Sequence, residues 1–169
     1  MKISGWMPAA AAAVALVLMT GCSKEGPSRF RGNYSYSTSG TVVLASSDDT
    51  LTVSVPAEAG QLDIVTADKS SGDMILTMRP VTGGAVVFDA NADGRLLRLS
   101  PAARRLQVNF GNGVLAADAV EMDVDVSGYG ERYSDVIIFR LEYAGTCVHE
   151  GITYRITESS VDCVAKENR

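Results

Sequence analysis

The chain has 169 residues, 46% hydrophobic and 21% charged, with a formal net charge of -5 and one histidine. An acidic chain has no clustered Lys and Arg to neutralise phosphates, so nucleic acid is not an expected partner. A single histidine, His149, excludes histidine-based metal clusters, and no metal or cofactor is expected.

The first segment carries Lys2, an apolar run over residues 7–18, and small Thr20 and Gly21 before Cys22. This is the tripartite layout of an export signal. Leu18-Met19-Thr20-Gly21-Cys22 reads as the processing site of a bacterial lipoprotein, with Met19 where leucine is commoner. Cleavage after residue 21 makes Cys22 the new N-terminus, and acyl chains such as palmitate on its sulfur and amine anchor the protein to a membrane. Two or three chains give stable anchoring where one is marginal. A spanning helix needs about 20 apolar residues; the run is shorter and polar Ser23, Lys24 and Glu25 follow it, which disfavours a retained transmembrane helix. Loss of residues 1–21 removes Lys2 and no acid, taking the formal charge from -5 to -6. It also removes Trp6, the sole tryptophan and the strongest stacking surface for a sugar. Residues 22–31, containing Gly26, Pro27 and Ser28, read as a flexible tether. Residues 32–169 are expected to form a single all-β domain.

From residue 33 onward apolar residues alternate with period two, and no window repeats them at helical spacing. Candidate strands fall at about 33–45, 50–56, 61–67, 73–79, 85–90, 95–100, 104–110, 115–127, 134–144, 152–157 and 160–165. Turn chemistry separates most of them, as in Ser46-Ser47-Asp48-Asp49, Ala57-Glu58-Ala59-Gly60, Asn91-Ala92-Asp93-Gly94 and Gly128-Tyr129-Gly130. Met122, Val124 and Val126 share one face, and Ile137, Phe139, Leu141 and Tyr143 share another. Joining those faces allows Val124 opposite Ile137 and Met122 opposite Phe139, with Glu121 facing Arg140 outside. Val136 and Ile138 then lie on the outer face and call for cover. Eleven short strands without crossover helices predict an antiparallel meander barrel, lipocalin-like, with a two-sheet β-sandwich as the alternative.

Chemical motifs are sparse. Asp89-Ala90-Asn91-Ala92-Asp93-Gly94 imitates half of a calcium loop, but Ser100 stands where a bidentate glutamate belongs and Arg95 and Arg98 oppose a cation. A polar hairpin turn is the better reading. Arg95, Arg98, Arg104 and Arg105 crowd a hairpin near Pro101, yet adjacent Arg104 and Arg105 point to opposite faces of a strand and cannot share one surface. Cys147 and Cys163 are the cysteines left after acylation. An even pair in an exported domain predicts a disulfide, worth roughly 3 kcal/mol for a loop of about 15 residues. No nucleophile elbow or phosphate loop is present, and the acids Glu121, Asp123 and Asp125 alternate toward solvent, so no catalytic residue and no enzyme is expected.

The chain resembles the small envelope lipoproteins of Bacteroidetes, some of which have lipocalin-like β domains. The likeness rests on the lipobox, on Gly32-Asn33-Tyr34-Ser35-Tyr36-Ser37-Thr38-Ser39-Gly40, on Val126-Ser127-Gly128-Tyr129-Gly130 before Ile137-Ile138-Phe139, and on Val161-Asp162-Cys163-Val164-Ala165. It implies a compartment and a β fold, and carries over no catalytic residue. The expected function is a lipid-anchored, non-catalytic binding module at the outer membrane. Its small apolar ligand or lipid would lie in a barrel interior lined by Met74, Leu76, Met78, Phe88 and Phe139. The alternative is an adaptor subunit of an envelope protein complex, docking through Val136 and Ile138 or an edge strand.

Overall fold

The structure, a computed structural model, describes residues 26–67, 73–111 and 119–169. Cys22 and the segment expected to be an export signal lie outside the described residues. The period-two alternation folds into eight antiparallel strands: β1 (Gly32–Ala45), β2 (Thr50–Thr66), β3 (Met74–Pro80), β4 (Val86–Asp93), β5 (Leu96–Asn109), β6 (Ala119–Tyr133), β7 (Val136–His149) and β8 (Ile152–Glu167). Each pairs with the next, and β8 returns to pair with β1, so the sheet closes into a meander barrel. That closure sets the sandwich aside.

Eight strands replace the expected eleven because three apparent boundaries are irregularities inside long strands. The segment Ala57-Glu58-Ala59-Gly60 continues β2 across a register shift against β1 between Thr38 and Gly40. Pro101 sits inside β5, where the pairing to β6 shifts between Leu99 and Ala102. Glu158 and Ser159 lie inside β8, beside a shift in β7 between Leu141 and Thr146. Each extra residue bends its strand and increases its twist, as a small barrel requires, and prolines and glycines mark such places as readily as they mark turns.

Joining of β6 to β7 through their apolar faces is as expected, but the register differs. Val124 lies opposite Gly145, Val126 opposite Tyr143, and Tyr129 opposite Arg140. Gly128 and Gly130 continue the strand, and the chain turns at Ser134-Asp135, with Ser134 at φ 57°. Gly130 faces the interior beneath the Phe139 ring, where a Cβ would collide with the aromatic carbons; the glycine makes room for a core aromatic. Glu121 accordingly meets Arg105 at 3.8 Å, and Arg140 meets Asp162 at 3.3 Å.

Apolar residues point inward along every strand, including Tyr34, Val42, Leu62, Leu76, Phe88, Leu106, Val124 and Ile137, all buried. Outward positions carry charges such as Arg79, Arg98, Asp123, Asp125 and Asp162. A bilayer-spanning barrel has the reverse polarity, and charges on a lipid-facing wall are destabilising, so this wall is built for water. Among the described residues no helix is long and apolar enough to cross a membrane.

One end of the barrel is closed by a short 3-10 helix, η1 (Pro27–Arg29), and by Phe30, which is fully buried. Arg132 ties this plug down: its guanidinium donates to the Arg29 carbonyl, to the Tyr34 hydroxyl at 2.8 Å and to Glu167 at 2.5 Å. Of the tether expected over residues 22–31, residues 22–25 lie outside the described residues, and the chain is docked from Pro27 onward; burial of Phe30 outweighs the local preference of a Gly-Pro-Ser stretch for freedom. Near the other end Phe110 stacks on His149 at 4.2 Å and tilts against Tyr154 at 5.0 Å.

Candidate functional site

The wall is weakened where neighbouring strands differ in length. β3 and β4 span 7 and 8 residues, while β2 and β5 span 17 and 14. Beyond the reach of the short β3–β4 hairpin, β2 and β5 are brought next to each other without a backbone ladder between them. A cleft of about 740 Å³ opens along this seam, bounded by residues 55–59 of β2, the β3–β4 turn and residues 103–107 of β5. The volume lies within the range of small-molecule sites.

At the seam the inward phase of both strands carries charge. Arg104 follows the phase of buried Leu106 and Val108, and Glu58 follows that of Leu62 and Ile64. Arg104 Nη2 donates to Glu58 Oε2 at 2.7 Å, with both side chains more than four-fifths buried. The Tyr36 hydroxyl donates to Glu58 Oε1 at 2.8 Å. Thr38, opposite Glu58 in the ladder, accepts from its backbone N–H at 3.2 Å through Oγ1. Tyr143 completes the lining from β7.

These groups perturb one another. Burial pushes the Tyr36 phenol far up, and its bond to Glu58 adds to the shift. Burial also raises Tyr143, partly offset by Arg104. For Arg104 burial works against the charge, but the bond to Glu58 and the neighbouring groups outweigh it and hold its pKa above the ordinary value. Arg104 Nε is buried without a hydrogen-bond partner. An incompletely satisfied guanidinium inside an apolar barrel is costly, and it sits where the wall is open.

The five residues expected to line a ligand cavity, Met74, Leu76, Met78, Phe88 and Phe139, do point inward, but all are at most 4% exposed and belong to the packed core. None of them lines the seam cleft. Side chains of this size from facing strands meet inside an eight-stranded barrel and fill it. Accessible volume arises instead where the hairpin is short.

The expected disulfide does not form: Cys147 and Cys163 are both buried free thiols. Cys147 lies opposite Tyr154 on β8, nine residues before Cys163. At about 3.3 Å per residue that separation is on the order of 30 Å, far beyond the roughly 7 Å that a bridge spans. The short sequence spacing misleads because the chain turns at Glu150-Gly151 and runs the length of β8 before reaching Cys163. Burial raises both thiols, and Cys163 is pushed to about 12.

Arg104 and Arg105 separate as expected. Arg104 enters the barrel, whereas Arg105 stays outside near Asp123 at 3.4 Å and Glu121 at 3.8 Å. The calcium-like segment forms the β4–β5 hairpin, turning at Gly94 with φ 58°. Outside the barrel, Ile138 lies opposite Val164, each 44% exposed.

Sequence reasoning missed Glu58, Tyr36, Thr38 and Tyr143 as a group. One signal was present: Arg104 shares parity with apolar Leu106 and Val108. For Glu58 the parity is broken by the extra residue that follows Val55, where Pro56 was the local mark, and Glu58 shares the parity of Leu62 and Ile64 beyond it.

No protein-family model matches the chain, and no curated protein matches it. Among solved structures it is similar to neisserial surface protein A (NspA), with 13% identity over 81% of this chain and 97% of that one, at a TM-score of 0.45. That likeness is too distant to bear on function.

Proposed function

We propose that this chain is a non-catalytic binding module of the bacterial envelope, lipid-anchored through Cys22, which holds a small ligand in the β2–β5 seam cleft. The observation that carries this reading is the Arg104–Glu58 pair set inside a mostly apolar barrel at the point where the wall opens. Replacing such a pair by apolar side chains is often neutral or stabilising, so burial alone does not account for charges here. Exchange of the apolar interior for the seam cleft is the change from the sequence-based expectation. The anchoring geometry is compatible: η1 docks at one end of the barrel, five residues beyond Cys22, while the cleft opens in the side wall beside the β3–β4 turn. A ligand would enter through the side wall and not through the end that carries η1.

Native mass spectrometry of the protein released gently from membranes tests the reading, with the expected result a co-purifying small molecule lost on Arg104→Met. The Cys22→Ser form is expected in the soluble fraction. An empty protein from every preparation, together with membrane retention of Cys22→Ser, would refute both parts. A second reading, an adaptor docking through the outer wall, is favoured by the exposed Ile138–Val164 pair; a crosslink from Ile138 to a single envelope protein would select it.

A further inference from the structure

Charge and polarity within the cleft narrow what it accepts. The charged residues that line it are Glu58, Arg104 and Arg105, a net charge of +1 within a chain of net charge -5. Glu58 occupies Nη2 of Arg104 and the Tyr143 phenol also bonds the guanidinium, while Nε is left without a partner. Arg105, 75% exposed at the rim, has only long and solvent-screened contacts with Glu121 and Asp123. The rest of the lining is largely apolar: Val55 and Leu106 on the walls, Val86 on β4, and Val81 on the β3–β4 turn, which is 82% exposed. An exposed valine at the lip of a cleft is apolar surface that an occupant would cover.

Resting on the binding reading above, we infer that the occupant is a single-chain amphiphile with a singly anionic head, the head taken by Arg104 at the opening in the wall and the chain laid along Val81, Val86 and Leu106. A guanidinium whose Nε–H lacks a partner suits a carboxylate or phosphate oxygen, and one negative charge balances the lining. A neutral amphiphile would leave the excess charge unmatched. A dianion would confront Glu58.

The test uses the mature chain with Cys22→Ser, so that neither the acyl anchor nor detergent competes; the closed core begins at Phe30 and includes no residue before it. Calorimetric titration compares dodecanoate, lauroyl lysophosphatidylglycerol and dodecanol. The expected result is binding of one or both anions at least tenfold tighter than the alcohol, the stronger of the two showing whether the source is a free acid or a lipid. Loss of a charge-assisted bond in Arg104→Met weakens the anion by about tenfold or more and leaves the alcohol unchanged. Glu58→Gln, which keeps an acceptor for Tyr36 and raises the lining charge, strengthens the anion. That opposite sign separates head-group recognition from a fold defect, which would weaken every ligand in both variants. Equal binding of acid and alcohol, insensitive to Arg104, overturns the inference while sparing the cleft as a site. Failure of all three probes, or preference for an acidic peptide, overturns it, and the first of these also counts against the binding reading.

Discussion

Because β2 and β5 share no backbone ladder along the seam, the Arg104–Glu58 pair should act as a clasp, and a double-mutant cycle measures it. Arg104→Met leaves the Glu58 carboxylate, 17% exposed, with Tyr36 as its remaining side-chain donor. Breaking one side of a fully buried pair costs about 3–5 kcal/mol; the residual access to cleft water lowers the expectation here to roughly 2–3 kcal/mol. Glu58→Met leaves Arg104 with neither Nε nor Nη2 satisfied and should cost a similar amount. The double variant removes both charges and should be no worse than either single one, giving a coupling energy of about 2 kcal/mol or more. Trp6, the sole tryptophan, falls in the segment expected to be cleaved, so urea unfolding is best followed by far-ultraviolet circular dichroism, with unchanged m-values as the check that only stability has moved. Additive single effects, within about 0.5 kcal/mol, would show that the two side chains act independently and would refute the clasp.

Two further outcomes follow from the buried thiols and phenols. Cys163 is raised from 9.0 to about 12 and Tyr34 from 10.0 to about 12, each chiefly by burial. The native state therefore keeps protons that the unfolded chain releases, so stability is full below about pH 9 and falls as pH rises from 9 toward 12; Cys163 alone accounts for a loss on the order of 4 kcal/mol by the upper limit. A pH series of urea midpoints checks this, and Cys163→Ala should flatten its first part; stability that is constant from pH 9 to 11 contradicts it. Reducing agent should leave the melting temperature unchanged, with both thiols reacting with Ellman's reagent only after unfolding. A drop of several degrees, as loss of a bridge worth roughly 3 kcal/mol would produce, would restore the disulfide.

Local pattern determined a great deal about this chain. Alternation such as Ile137, Phe139, Leu141 and Tyr143 assigns each strand its inner face without reference to any neighbour, because successive side chains leave a strand on opposite sides. Hence the all-β barrel, the identity of most core residues and the separation of Arg104 from Arg105 were legible. Register was not: whether Gly128 and Gly130 turn the chain or continue β6 depends on the Phe139 ring that fills the space above Gly130, which belongs to another strand. The extra residues in β2, β5 and β8 reverse parity midway, so Glu58 follows Leu62 and Ile64 and not Val53 and Val55, and only the pairing with β1 shows where the change falls. The distance between Cys147 and Cys163, and the meeting of Arg104 with Glu58, depend on how far each strand runs before the ring closes. Period two is a property of neighbours in sequence; the seam exists because two short strands stand between two long ones, and only the closed barrel brings those long strands together.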